Sequence, residues 1–561
     1  MGVRTHPTGL ACRSQSSSYI TCLNRVNRDT GGPEVGELIR PSSVSSHALS
    51  HRRTGRDGRW IRPGLWDTLA PEGEDDVVTH TTHSERSGVR LNPVVAPRRP
   101  RGVWIAAIAA LALLQLGAMG CAKRPPEPFP STRVFVITID TLRADHLGAY
   151  GYPRGVSPFL DHLAERSIIF DTAISASSHT GPSHASLFTS LYPAQHRLLQ
   201  NGERLSDDLQ TLAEVFRDAG YQTAGFTAVE FLEGLDQGFD QFRTGKVFSP
   251  ADEVLGWAED WLGELEPEQK VFVWIHLFDV HEWYHDHHLD RDAVDVVTNS
   301  ARPGGDELVA FLNRAHGLET ERFPGRQDVV EVMNKYDGQL LSTDRALERF
   351  FSDVAGSGPA QDGLWIVTAD HGEGLGNHGF LSHGRYIYNE QLHVPLLIHA
   401  PGRSHTATRI KQLVRLVDLA PTLAEIAGVS FAGRPIPIEG RSLLPLLQGA
   451  SRRWTSVPAF SQRRPADKKR LAEHWYPGEV FATQDGRRKL IVGTGGKVEL
   501  YDLRNDPFEL HNEWRAGDAD QDEQIKNLVE QYNMMMEQGE MIGSGVISPE
   551  HIEELKALGY L

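Results

Sequence analysis

Short, unbroken apolar runs alternate with polar segments of helical spacing through most of the chain. Val134-Phe135-Val136-Ile137-Thr138-Ile139 has no polar face, which suits a strand buried on both sides. Ser157-Pro158 then opens an amphipathic stretch over 159–166, with Ser157 as N-cap and proline in the first turn. A second helical pattern covers 209–219 and stops at Gly220. Residues 221–227, 271–276, 364–368 and 394–398 read as four further strands. Strands alternating with helices predict an α/β sheet. The pattern changes near the C-terminus. Strands at 480–483 and 489–492 flank Asp485-Gly486, a good hairpin turn, and 497–501 can add a third antiparallel strand. A smaller β-containing subdomain is therefore placed at 450–561, after a main domain at 132–449.

The 561 residues suffice for one large domain and a smaller one. Residues 1–97 are rich in Arg and Ser without periodicity, and read as disordered or as never translated. Residues 98–121 run from a basic cluster, Arg98-Arg99-Pro100-Arg101, through an apolar stretch to Cys121. That is the plan of a secretory signal, and it resembles a bacterial lipoprotein signal in which the cysteine is lipidated. The alternative is an uncleaved transmembrane anchor, for which the run is near the lower length limit. Either way the rest is exported, as a membrane-anchored protein of the cell envelope facing the periplasm or exterior. Residues 122–131 form a Pro-rich tether. If the mature chain begins at Cys121, then Cys12 and Cys22 are lost, leaving neither a disulfide framework nor cysteine catalysis. The whole chain carries a net charge of −17, and loss of the basic leader makes it more acidic still, which argues against general nucleic-acid binding.

In open α/β sheets, ligands sit beyond the carboxyl ends of the strands. The first strand ends in Asp140-Thr141 and the 364–368 strand leads to Asp370-His371. Carboxylate and imidazole suit a divalent ion such as Mn, Mg, Zn or Ca. Between them lies Thr180-Gly181-Pro182-Ser183-His184, where Pro182 can open a helix. Thr180 would then sit just before its positive end, with free backbone N–H groups nearby to stabilise an alkoxide or tetrahedral anion. Each feature alone has an ordinary explanation as a cap or a turn.

Taken together, these segments resemble the sulfatase family of the alkaline phosphatase superfamily. Asp140-Thr141-Leu142-Arg143-Ala144-Asp145-His146-Leu147-Gly148 looks like its first metal motif, and Thr180 to Pro193 like its nucleophile signature. Residues 368–379, containing Thr368-Ala369-Asp370-His371-Gly372-Glu373-Gly374, resemble its second metal motif. Residues 501–509, Gly238-Phe239-Asp240 and the closing Leu558-Gly559-Tyr560-Leu561 also fit. The resemblance implies a central, mostly parallel sheet flanked by helices, with a smaller C-terminal antiparallel subdomain.

The departures shape the expected chemistry. Sulfatases carry Cys or Ser, oxidised to formylglycine, where this chain has Thr180. His184 replaces the signature's arginine, Thr141 replaces a second aspartate, and no Lys-x-His motif falls near 223–230. Superfamily relatives with a threonine nucleophile attack phosphorus and hold one metal through an acidic residue, the threonine, an Asp and a His. The resemblance thus implies one divalent ion held by Asp140, Thr180, Asp370 and His371, with Thr180 as nucleophile. His281 looks like the residue that protonates the leaving group, His383 like the cation for anionic oxygens, and His184 takes its place in the catalytic set. His285, His287 and His288 read as surface loop in an acidic insert at 284–307, with a minor reading as lining of the substrate mouth.

The resulting expectation is a metal-dependent hydrolase or phosphotransferase acting on a phosphate or sulfate ester of a small molecule, glycan or lipid. The alternatives are a true sulfatase with an unusual nucleophile or metal-activated water, and a non-catalytic envelope lipoprotein that binds an anion.

Overall fold

Eight strands form the main sheet: β1 (Arg133–Ile139), β2 (Ile168–Phe170), β3 (Gln222–Thr227), β4 (Gln241–Thr244), β5 (Val271–Leu277), β6 (Leu364–Thr368), β7 (Leu396–His399) and β8 (Thr408–Ile410). Their order is β8-β2-β7-β6-β1-β5-β3-β4. This is a computed structural model, and it describes residues 129, 132–266, 268–300, 326–356, 362–400, 408–431, 435–450, 454–463, 478–493 and 496–542. The segments read as leader, anchor and tether lie outside the described residues, Phe129 excepted, as do 558–561. Among the described residues no helix is long and apolar enough to cross a membrane.

β1, β5 and β6 are buried along their whole length, as their continuous apolar sequences require. They lie side by side and parallel, with Thr138 opposite His276 on one flank and Thr368 on the other. Phe135 stacks on Trp365 with ring centroids 3.9 Å apart, and Trp274 is fully buried. The 394–398 run is not one strand. Proline lacks the N–H that a ladder needs, and Pro395 divides it. His393–Val394 pairs with Ala173–Ile174 in a separate small sheet, and β7 runs antiparallel to β2 and β6.

Helices flank this sheet, among them α1 (Pro158–Ala164), α2 (Thr180–Thr189), α3 (Leu212–Asp218), α4 (Ala251–Gly263) and α5 (Arg326–Phe351). A reciprocal capping box starts α3. Thr211 Oγ1 accepts from Glu214 N at 3.1 Å, and Glu214 Oε2 accepts from Thr211 N at 3.0 Å. Gly220 then turns the chain at φ 82°. The expected Ser157 cap of α1 does not form, because its hydroxyl accepts from Gly148 N at 3.3 Å. Asp344 of α5 caps α1 instead, accepting from Phe159 N at 2.9 Å and Leu160 N at 2.8 Å.

The C-terminal sheet has four antiparallel strands in sequential order: β9 (Ala459–Gln462), β10 (Val480–Gln484), β11 (Arg488–Gly493) and β12 (Val498–Asp502). The hairpin stands at Asp485-Gly486, where Asp485 Oδ1 accepts from Arg487 N and Arg488 N, each at 2.8 Å, and Gly486 has φ 82°. Helix α6 (Ala519–Glu540) covers the sheet, with Tyr532 stacked on Phe481 at 4.3 Å.

A buried polar seam joins the two parts. Lys489 Nζ meets Glu509 Oε1 at 2.7 Å, and Glu509 also accepts from Asn389 N. His378 pairs with Glu390 at 2.9 Å and reaches the Glu509 carbonyl at 3.0 Å. Burial disfavours the charged His378 ring, but Glu390 outweighs it and raises the pKa from 6.5 to about 9. A pKa raised in the folded state stabilises below the unfolded value and loses that stabilisation as pH rises through the folded value. Thermal stability is therefore expected to fall between pH 6.5 and about 9, and His378→Gln to flatten that part of a melting-temperature profile.

Candidate active site

The carboxyl ends of β1, β5 and β6 bring four acidic and imidazole groups together. Asp140 follows β1, His276 is the penultimate residue of β5, and Asp370-His371 follow β6. Their side chains are fully buried. Backbone contacts fix the arrangement. Thr141, at φ 57°, donates its N–H to Asp370 Oδ1 at 3.3 Å. Tyr336 of α5 donates its hydroxyl to the Thr141 carbonyl at 2.8 Å and accepts from Arg143 N at 3.0 Å. Arg143 is itself bound to Asp145, Asn377 and the Glu373 carbonyl, which ties the first motif to the second.

Thr180 is the first residue of α2 and is 1% exposed. Its Oγ1 lies 3.3 Å from His371 Nε2. His371 Nδ1 donates to the Gly372 carbonyl at 2.9 Å, which turns Nε2 toward Thr180. The start of α2 offers fewer free donors than its sequence suggested. Gly181 N–H is taken by Asn201 Oδ1 at 2.8 Å, and Pro182 has none. Ser183 Oγ instead donates to the Asp370 carbonyl at 2.7 Å, which locks the helix against the second motif.

Two carboxylate oxygens have no hydrogen-bond partner here, Asp140 Oδ1 and Asp370 Oδ2. One oxygen each from Asp140 and Asp370 and a nitrogen of His371 all lie within 4.8 Å of one another. Burial, then the facing Asp370 charge, pushes the Asp140 carboxyl up to about 8. Burial also opposes ionisation of Asp370, but His371 beside it holds that carboxyl below the usual range. Unpaired buried carboxylate oxygens cost several kcal/mol unless a cation meets them. The donor set is oxygen and imidazole, so these residues fit a divalent metal ion.

The remaining expected residues divide into two groups. His383 lies close by, with ring centroids 4.5 Å from His371 and 5.0 Å from His281. Its Nδ1 is 3.7 Å from Glu373 Oε2, and Trp283 Nε1 donates to the same oxygen at 3.1 Å. His281 stacks on Phe278 at 4.0 Å, and its Nδ1 is shared by Glu282 Oε1 and the Tyr284 hydroxyl, each at 3.2 Å. His184 is placed differently. Its Nδ1 is 2.9 Å from the Thr180 carbonyl and its Nε2 is 2.9 Å from Thr138 Oγ1, which also accepts from Trp274. Burial lowers its pKa to about 3. A neutral ring engaged at both nitrogens holds the start of α2 against β1.

His276 was not singled out from the sequence. Its Nε2 is 3.3 Å from Asp140 Oδ2, and burial lowers its pKa to about 4. The available signal was a lone imidazole inside an otherwise apolar strand.

A family model described as Sulfatase matches residues 132–429, and one described as N-sulphoglucosamine sulphohydrolase, C-terminal, matches 376–538. The chain is 24% identical over 450 residues to a Delta 4,5-hexuronate-2-O-sulfatase of Bacteroides thetaiotaomicron, covering 72% of this chain and 87% of the relative. It is 25% identical over 480 residues to a multifunctional alkaline phosphatase superfamily protein of Trinickia caryophylli, covering 69% of this chain and 91% of the relative. The structure of phosphonate monoester hydrolase from Agrobacterium radiobacter is similar at TM-score 0.56 and 22% identity, covering 74% of this chain and 96% of that one.

Proposed function

The chain belongs to the sulfatase family, as a sulfatase-like hydrolase of ester bonds, and from that premise we propose that Thr180 is the nucleophile of a metal-dependent hydrolase or transferase of phosphate esters. One observation carries the proposal. Thr180 Oγ1 sits 3.3 Å from His371 Nε2, beside two buried carboxylate oxygens without hydrogen-bond partners. Asp140, Asp370 and His371, together with Thr180, would hold one divalent ion. Such an ion lowers the pKa of a neighbouring hydroxyl and neutralises charge on the transferring group.

The steps assigned to the chain itself are these. Thr180 gives its Oγ1 proton to solvent, and Oγ1 attacks phosphorus. The bond from phosphorus to the leaving oxygen breaks, and that oxygen takes a proton from His281 Nε2. Glu282 and Tyr284 hold His281 through Nδ1, which leaves Nε2 for the transfer. His383 packs against both His281 and His371, where an N–H of its ring can meet the anionic oxygens. Water or an acceptor alcohol then attacks the threonyl ester, with His281 as base.

Sulfate-ester hydrolysis is the second reading, favoured by both family models and by the glycan sulfatase among the relatives. A panel of aryl and alkyl phosphomonoesters, phosphodiesters, phosphonates and sulfates, with each of Mn, Mg, Zn and Ca, separates the two. Phosphate or phosphonate turnover above sulfate turnover supports the first reading, and the reverse order contradicts it. His281→Gln is expected to slow alkyl esters by roughly 10²-fold and aryl esters much less, because a good leaving group needs no proton.

We also propose that the chain is exported and held in the cell envelope through Cys121. Cys121→Ala is expected to move it from the membrane to the soluble fraction. Unchanged membrane retention of that variant would leave an uncleaved helix as the anchor.

A further inference from the structure

Outside the candidate active site, a second group of ligand-type side chains converges at the turn that follows β5. Glu282 is buried at 3% exposure, and its carboxylate is the centre of a ring of imidazoles. Its Oε2 meets His285 Nδ1 at 2.8 Å and also meets His288 Nδ1. Its Oε1 meets His281 Nδ1 at 3.2 Å.

The backbone builds this convergence. His285 N donates to the Glu282 carbonyl at 3.0 Å, and His288 N donates to the His285 carbonyl at 2.9 Å. Two successive turns of three residues thus bring residues 282, 285 and 288 to one side. Gln339 of α5 anchors them, donating to the Asp279 carbonyl at 2.9 Å and the His288 carbonyl at 3.4 Å. Phe248 lies against the His288 ring at 4.7 Å. The group is therefore seated on the folded core, although its sequence reads as a polar surface loop.

The chemistry of the donors is specific. One oxygen of Glu282 and one nitrogen each of His285 and His288 lie within 4.8 Å of one another. Two imidazoles and one carboxylate are the protein ligands of many zinc sites, where a water completes the tetrahedron. The carboxylate is buried, while the His285 and His288 side chains are 37% and 25% exposed, so an ion has a path from solvent. No residue is shared with Asp140, Asp370 and His371.

We propose that Glu282, His285 and His288 bind a zinc-class divalent ion, separate from the one assigned to the candidate active site. Bound there, it would fix Glu282, whose other oxygen holds His281. Carboxylate contacts to a histidine set its tautomer and ring orientation, so the ion would act as a positioning device for His281. The proposal does not depend on Thr180 being the nucleophile.

The test is equilibrium dialysis of the purified full chain against zinc, with metal content measured by mass spectrometry. The variants are the double substitution His285→Ala/His288→Ala and, separately, Asp370→Asn. The double variant is expected to bind one equivalent fewer than the wild type, and Asp370→Asn to keep the equivalent that the double variant loses. Cobalt in place of zinc gives a second readout, a visible absorption band from tetrahedral nitrogen ligation that disappears in the double variant. Far-ultraviolet circular dichroism checks that each variant is folded, and the single variants His285→Ala and His288→Ala replace the double one should it unfold. Equal zinc content and an equal cobalt band in wild type and histidine variants would overturn the proposal.

Discussion

Thr180→Ala is expected to lower kcat on the preferred ester by roughly 10³-fold or more, with little change in thermal stability. The two halves of that expectation come from the same contacts. Thr180 Oγ1 makes a 3.3 Å contact to His371 Nε2, long for a hydrogen bond, so the folded state loses little when it is removed. The reaction, in contrast, loses the atom that forms the covalent bond. Thr180→Ser keeps the hydroxyl and is expected to retain most of the activity. Its extra rotamer freedom should cost a small factor, because the β-methyl restricts χ1 in threonine. If sulfate-ester turnover survives Thr180→Ala undiminished, water is the nucleophile and the side chain only lines the site.

Asp370→Asn is expected to affect two properties. It should weaken metal binding by roughly 10²-fold or more and abolish turnover with it, because it removes one of the anionic oxygens aimed at the cation. Without metal, the variant should also melt at a lower temperature than the wild type. Burial opposes ionisation of Asp370, but His371 beside it outweighs that cost and holds the carboxyl below its usual range, so the charge is favoured in the folded state and its removal is destabilising. The asparagine Oδ1 can still accept from Thr141 N and His371 N, as the aspartate does at 3.3 Å and 2.8 Å. Melting curves with and without added metal check both effects. The wild type should gain stability from metal by mass action, and the variant should not.

The family motifs name Asp140, Thr180, Asp370 and His371, and the fold collects all four. The strands that carry them were legible because β1, β5 and β6 are apolar throughout, a pattern that only burial on both faces explains. What escaped the sequence depends on partners far along the chain. Asp344 caps a helix almost two hundred residues upstream, and Asn201 occupies the Gly181 N–H that local reasoning left free for an anion. The long helix α5 has polar residues along much of its length and lacks a marked start, yet it supplies Tyr336 and Gln339 to the two candidate sites. His184 matched a signature position by alignment of motifs. Its role depends on Thr138, one strand away, and on the Thr180 carbonyl one turn back. The histidines at 285 and 288 were legible as residue types, but their meeting at Glu282 needed the two turns that the backbone makes.

The central claim is that Thr180 forms a covalent bond with the transferring group. The most direct measurement is rapid acid quenching of the metal-loaded enzyme with its best substrate from the panel, followed by proteolysis and mass spectrometry. The account predicts that the transferred group is found esterified to the threonine at position 180, in a species that forms and decays at rates compatible with turnover. A catalytically active enzyme that never carries the group on Thr180, and whose product oxygen comes from water in a single inverting step at the reacting centre, would contradict it.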